Sequence, residues 1–237
     1  MTNTATEDLD LSPGFQAVKA AITSRKSTRS FLPTPIDPQL LDEVLLIAGT
    51  APSGSNVQPW NVHVVSNAAR DRLSAALLTA HQSGEPETRE YQYYPVKWRS
   101  PYLDRRRATG WGLYGTLGIG KGDREASARQ HARNYEFFGA PVVLIFTIDR
   151  DLETGSWLDY GMFLQNIMIA ARACGLHTCP QAALANYPSI VKQHLGINDD
   201  KIIVCGMSIG YEDVSAAVNR FQPERMAVSE FVTHHES

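Results

Sequence analysis

Five consecutive residues, Arg25-Lys26-Ser27-Thr28-Arg29, carry three cationic side chains and two hydroxyls. A phosphate group takes that chemistry: positive charge to neutralise it, and donors fixed around its oxygens. The same residues also read as a basic helix end, because cations favour a helix C-terminus. A second stretch, Ala51-Pro52-Ser53-Gly54-Ser55-Asn56-Val57-Gln58-Pro59-Trp60, is rich in small donors and acceptors and ends on a large aromatic. Between a helix and a strand, such a loop can aim backbone N–H groups at a ligand, or it can be a plain connector. A third, Thr178-Cys179-Pro180-Gln181-Ala182-Ala183, reads as a small-residue loop.

Other candidates point to less. Arg105-Arg106-Arg107 reads as a solvated or salt-bridged face, with carboxylate binding as the alternative. Gly118-Ile119-Gly120-Lys121-Gly122-Asp123 is not a phosphate loop, because Lys121 is followed by Gly122 and not by Ser or Thr. It is not a dinucleotide fingerprint either, since a helical segment precedes it and its glycine spacing is wrong. Cys174, His177 and Cys179 lie close together, but no second cluster completes four metal ligands, so structural thiols are expected. No catalytic triad, carboxylate pair or metal cluster is legible.

The elements that must position these residues follow from periodicity and caps. Ser12-Pro13 is an N-cap followed by proline, and Phe15, Val18 and Ile22 recur at helical spacing to about Ser24. Asp37-Pro38 repeats the signal ahead of Leu40, Leu41, Val44, Leu45 and Ala48. Val62, Val64 and Val65 read as a strand. Asn67 is expected to cap a helix carrying Leu73, Leu77 and Leu78, and Asp123 to open one running through Phe137. Pro141 to Ile148 is a buried strand by composition, and Trp157 to Ala173 a central helix closed by Gly175. Asn186 is expected to cap a short helix ending at Gly196, with a second buried strand at Ile202 to Cys205. Few, widely separated strands among more numerous helices predict an α+β fold, a small mixed or antiparallel sheet covered by helices.

The chain has 237 residues, enough for one large domain or two small ones. With 43% hydrophobic residues it can fill a core, and a net charge of -3 argues against a nucleic-acid binder. Residues 1-11 are acidic and polar, expected as a disordered tail and not a signal peptide. A single domain over 12-237 is expected, with an insertion at about 85-122 too small and polar to hold its own core. The extension at 212-237 is expected to wrap a second subunit. Three cysteines fit a reduced compartment, and no apolar run reaches the ~18 to 20 residues of a membrane span, so a cytoplasmic location is expected.

Together, Arg25 to Arg29, Pro52 to Trp60, Phe137-Phe138-Gly139-Ala140-Pro141, and Asn219-Arg220-Phe221 leading to Arg225 resemble the FMN-dependent nitroreductase family. The resemblance runs from about Ala17 to the C-terminus. The middle section, rich in tyrosine and arginine, is most similar to the branch of nitrobenzoate and other nitroaromatic reductases. The resemblance implies an intertwined homodimer with FMN at the subunit interface. It also implies hydride transfer from NADPH or NADH through flavin N5 to a nitroaromatic acceptor, in ping-pong turnover. Carried over by position, Arg25, Lys26, Ser27 and Arg29 would hold the phosphate, ribityl and pyrimidine side, with Arg29 stabilising the reduced ring. Pro52, Ser53, Gly54, Ser55, Asn56 and Gln58 would reach the flavin of the other subunit. Pro180, Gln181, Ala182 and Ala183 would run along the isoalloxazine edge, and Gly210 and Arg225 would return to the phosphate. Where some members have Glu-Gly, this chain has Ala182-Ala183, so only a backbone donor remains there. Quinones, activated alkenes or halogenated aromatics are alternative acceptors on the same fold, as is a flavin-binding or flavin-consuming protein.

Overall fold

The computed structural model describes residues 12–235. The N-terminal tail expected at 1-11 and the last two residues of the C-terminal extension lie outside them. Among the described residues, seven α-helices surround one four-stranded sheet: α1 (Pro13–Ser24), α2 (Pro38–Ala48), β1 (Asn61–Ser66), α3 (Asn67–Ser83), α4 (Tyr102–Thr116), α5 (Arg124–Ala132), β2 (Val142–Asp149), α6 (Thr154–Ala173), β3 (His177–Gln181), α7 (Pro188–Leu195) and β4 (Lys201–Gly210). The strand order is β1-β2-β4-β3, and every pairing is antiparallel.

The two inner strands are apolar because both their faces are covered. From β2, Val142, Leu144, Phe146 and Ile148 point to a core shared with α2 and α6, while Val143 and Ile145 point to one shared with α3 and α7. The alternation breaks in β4. Phe146 pairs with Cys205 and Thr147 with Ile203, so Val204 is an extra, unpaired residue. The bulge turns Val204 and Cys205 toward the same core. Tyr91 fixes it by donating its hydroxyl to the Val204 carbonyl.

Three helix-start signals hold. Ser12 accepts from the Phe15 N–H at 3.3 Å and Asp37 from the Gln39 N–H at 2.9 Å. Asp123 likewise accepts from Ala126 at 2.9 Å. Four expectations need correction. α5 stops at Ala132 and does not continue to Phe137, because Phe137 and Phe138 both adopt positive φ (52° and 54°) in a tight turn. Thr178 to Gln181 is strand and not loop; Pro180 is tolerated because β3 is an edge strand. Asn186 does not cap α7; Tyr187 precedes Pro188 at the helix start, and the Asn186 amide donates to Glu87 and to the Tyr135 hydroxyl. Asn67 does not cap α3: Ser66 holds the N-cap position, and no side chain caps that helix start. The apolar face of α1 is largely exposed: only Ala21 is buried, while Phe15 and Val18 are 49% and 54% exposed.

Exposed apolar side chains also occur on the neighbouring helices. α6 packs against α1 and α2, yet Leu158 and Met162 of α6 and Leu46 and Ile47 of α2 remain exposed. The segment between α3 and α4 is tied to the core by Glu90, which accepts from Lys192 at 2.8 Å and Arg150 at 2.5 Å. The Thr88 N–H, donating to the Asn186 carbonyl at 2.8 Å, adds a second tie. No helix among the described residues is long and apolar enough to cross a membrane.

Candidate functional site

The stretch Arg25 to Arg29 leaves α1 in extended conformation and is threaded into the sheet margin. Ser27 bridges in parallel to Thr178 of edge strand β3, and Phe31 bridges to Glu212 just beyond β4. The Thr28 N–H donates to the Thr178 carbonyl at 3.0 Å and the Leu32 N–H to the Tyr211 carbonyl at 2.9 Å. Asn219, only 2% exposed, closes the arrangement from the distant C-terminal segment. Its carboxamide oxygen accepts from the Arg29 N–H at 2.7 Å, its amide donates to the Ser30 carbonyl at 2.8 Å, and its own carbonyl accepts from Lys26 Nζ at 2.8 Å. Asn219 belongs to the segment leading to Arg225, but its spacing in the sequence assigns it no role. Its role becomes visible only when two segments 190 residues apart are brought together.

This threading decides which of the five side chains can meet a ligand. Arg25, Lys26, Ser27 and Arg29 line one cavity of about 440 Å³, with Gln165 from α6, Thr109 from α4 and Arg225 from the C-terminal segment. Thr28 is fully buried behind them, and its hydroxyl has no partner among the described residues. Lys26 lines the cavity but is already committed: its ammonium pairs with Glu212 at 2.7 Å, which also meets His177 Nε2 at 3.1 Å. Arg25 and Arg225 differ. Neither pairs with a carboxylate among the described residues, and burial followed by the charge of Arg225 lowers the Arg25 pKa. Two guanidiniums sharing one cavity without a counter-charge repel, and an anion with several oxygens removes that repulsion. Backbone carbonyls of Pro223 and Glu224 hold the Arg225 guanidinium in place, at 2.8 and 3.2 Å.

A second cavity of about 810 Å³ begins where β3 ends. Pro180, Gln181, Ala182 and Ala183 form one wall, and residues of the segment after α3 form another. Ser27 pairs with Thr178, two residues before Pro180, so one strand edge runs from the cationic cavity to this one. The Gln181 side chain is spent internally: its amide donates to the Asn134 carbonyl at 2.8 Å and its oxygen accepts from Ser208 at 2.6 Å. What it offers a ligand is backbone. Asn134 and His131 line this cavity and were missed from sequence. They were hidden by the expectation of an uninterrupted helix to Phe137.

The remaining expected site residues lie elsewhere in one protomer. Pro52, Ser53, Gly54, Ser55, Asn56 and Gln58 line neither cavity. Their loop sits at the start of α6, where the Gly54 N–H donates to Asp159 at 3.0 Å, and Ser53 Oγ accepts from the Gln58 N–H at 2.9 Å. Ser55, Asn56 and Gln58 all take positive φ (50°, 59° and 49°), a costly set for non-glycine residues and one that marks a held conformation. Gly210 also lines neither cavity. A Cβ on it would lie 2.7 Å from Pro141 Cδ, so close packing requires glycine there.

The sequence profile of the Nitroreductase family matches residues 22–211. The chain is 45% identical over 209 residues to a 4-nitrobenzoate reductase from Pseudomonas putida, covering 88% of this chain and 91% of that one. It is 39% identical to a chloronitrobenzene nitroreductase from Comamonas testosteroni, over 90% of this chain and 94% of that one. The fold superposes with a TM-score of 0.90 and 35% identity on the FMN-dependent nitroreductase NfnB from Mycobacterium smegmatis in complex with NADPH, covering 94% and 99% of the two chains.

Proposed function

The chain belongs to the nitroreductase family, and on that premise we propose that it is an FMN-dependent oxidoreductase carrying hydride equivalents from NADPH or NADH to a nitroaromatic acceptor. The observation that carries this reading is the uncompensated pair Arg25 and Arg225 in one cavity. A phosphate dianion fits that donor set. Arg25, Ser27 and Arg225 would hold the phosphate and ribityl end of FMN, with Lys26 paired to Glu212 at the cavity wall. Pro180 to Ala183 would lie along its ring, with Ser53 to Gln58 contributed by a second protomer. Bound there, FMN would supply a two-electron redox carrier between a nicotinamide donor and the acceptor, consistent with ping-pong turnover.

The protein's own residues orient and shield. Arg29, whose side chain donates back to the Ser27 carbonyl at 3.3 Å, lines the cationic cavity and would stabilise negative charge that develops on a reduced flavin ring. Tyr91 and Tyr93, rings 6.3 Å apart, present apolar surface that lets an aromatic acceptor displace water. No side-chain acid or base is needed to abstract a proton from the acceptor, which fits the missing triad. The reductase names of the relatives support a nitroaromatic acceptor, and NADPH bound to the M. smegmatis protein supports that donor.

A homodimer completes this reading. Phe15, Val18, Leu46, Ile47, Leu158 and Met162 are exposed on three helices that pack together, and each such side chain stabilises by about 1.5–3 kcal/mol when fully buried. A second copy covering this face would bring its Ser53 to Gln58 loop toward the first protomer's cavity, with residues 212-237 wrapping around it.

The test is anaerobic. Protein reconstituted with FMN is mixed with NADPH or NADH and should bleach; 4-nitrobenzoate should then restore the yellow oxidised form. Bound FMN that neither nucleotide bleaches would refute the enzyme reading. Reoxidation by quinones that outruns every nitroarene by orders of magnitude would refute the acceptor. Sedimentation should give twice the 26.2 kDa chain mass.

A further inference from the structure

The run Arg105-Arg106-Arg107 is divided by helix geometry. Successive residues of α4 project about 100° apart, so three neighbours cannot share one surface. Arg105 lines a cavity against Phe221 to Met226 of the C-terminal segment. Arg106 lines the cavity walled by Pro180 to Ala183. Arg107 lines neither of these nor the cavity of Arg25.

Arg106 is held by aromatic faces and not by a counter-ion. Its guanidinium carbon lies 4.7 Å from the Trp98 ring centre and 5.7 Å from that of Tyr94. Those two rings are themselves in contact at 5.5 Å. Among the described residues the Arg106 side chain has no salt bridge and no hydrogen bond to protein. Cation–π contact engages the face of a guanidinium and leaves its N–H edge free to donate. The carboxylates of the same cavity do not compete for it. Glu90 is bound by Lys192 at 2.8 Å and Arg150 at 2.5 Å, and Glu87 accepts from Asn186 at 2.7 Å with Arg89 at 3.7 Å. Burial pushes the Glu90 pKa up, but hydrogen bonds from Lys192, Arg150 and the Ile203 N–H outweigh it, so Glu90 stays ionised and paired.

We propose that Arg106, braced by Tyr94 and Trp98, is the anchor for a carboxylate on the acceptor, so that this cavity selects nitroaromatic acids over neutral nitroarenes. The cavity offers the rest of what such a molecule needs: the Tyr91 and Tyr93 rings for its aromatic body, and Pro180 to Ala183 at the opposite wall for its nitro end. This rests on the reductase reading above, which names the reaction; the anchor adds the substrate class. Arg106 is a specificity residue that touches substrate without taking part in electron transfer.

The test compares 4-nitrobenzoate with its neutral methyl ester, using FMN-loaded wild type, Arg106→Gln and Arg107→Gln. A charge-assisted, bidentate contact predicts that Arg106→Gln lowers kcat/KM for the acid by about 10- to 100-fold, chiefly through KM, while the ester changes by less than about twofold. Arg107→Gln should keep the wild-type ratio of acid to ester. In parallel, calorimetry with oxidised protein and benzoate, which cannot be reduced, should show the same selective weakening in Arg106→Gln. Equal loss for acid and ester, or no loss for the acid, overturns the anchor. If wild type reduces neither nitroarene, the reductase reading fails, and the benzoate titration still decides the anchor: unchanged affinity in Arg106→Gln rejects it.

Discussion

The two cavities along β3 are built by opposite means. The cationic cavity is defined by backbone: Ser27 and Phe31 are laced into the sheet margin, and Asn219 stitches the stretch to the C-terminal segment. The Pro180 to Ala183 cavity has one such wall, but its far side is made of exposed side chains, Tyr93, Tyr94 and Arg106, carried on the segment after α3 and on α4. Backbone ladders fix a site that must always take the same ligand. Rings and guanidiniums on an elaboration can be exchanged without disturbing the core. On the proposed assignment, cofactor binding and acceptor choice are separable in this chain.

Breaking the lacing should cost the most. Lys26→Met leaves Glu212, largely buried, facing only His177, and removes the bond to the Asn219 carbonyl. Losing a charged hydrogen-bond partner destabilises by about 1.5–3 kcal/mol, so thermal unfolding should shift down by several degrees. A melting temperature unchanged within a degree would mean that Lys26 is a free ligand group after all. Gly210→Ala comes next. Its Cβ would meet Pro141 Cδ at 2.7 Å and Phe31 at 3.2 Å, an overpacking cost of about 1–3 kcal/mol. Calorimetry should show lower stability with FMN affinity of the folded protein retained; the reverse pattern would restore Gly210 to the ligand site.

The smallest effect is a pH dependence shared by both ends. Burial lowers the pKa of His177 beside Glu212, against that carboxylate's opposing pull, and burial with the nearby His81 lowers that of His131. A histidine with a depressed folded pKa binds its proton more readily when unfolded. Stability is therefore greatest above the ordinary histidine value of 6.5 and falls as pH drops through it. Denaturant midpoints measured downward from neutral pH should fall, and a rise over that interval would contradict the burial of these rings.

How much of this was legible in sequence varied with the physics of each element. β2 and α6 could be read because burial on both faces, or on a broad one, leaves long apolar runs. The caps at Ser12, Asp37 and Asp123 could be read because capping is local chemistry. β3 was hidden by Pro180, which only its edge position permits. The end of α5 was hidden because positive φ at two phenylalanines has no residue signature. The phosphate chemistry of Arg25 was visible, but its convergence with Arg225 was not derivable from spacing alone. The split of Arg105, Arg106 and Arg107 among different surroundings needed the axis of α4 relative to β3, which no local pattern encodes.

The central claim is that Arg25 and Arg225 form a phosphate clamp. The direct measurement is a fluorescence titration of flavin-free protein with FMN and with riboflavin, which lacks the phosphate, in wild type, Arg25→Ala and Arg225→Ala. Each charged hydrogen bond contributes about 1.5–3 kcal/mol, so wild type should bind FMN tighter than riboflavin by at least about 10- to 100-fold. Either substitution should shrink that ratio while leaving riboflavin affinity nearly unchanged. Equal affinities in wild type, or a ratio that survives both substitutions, would contradict the clamp.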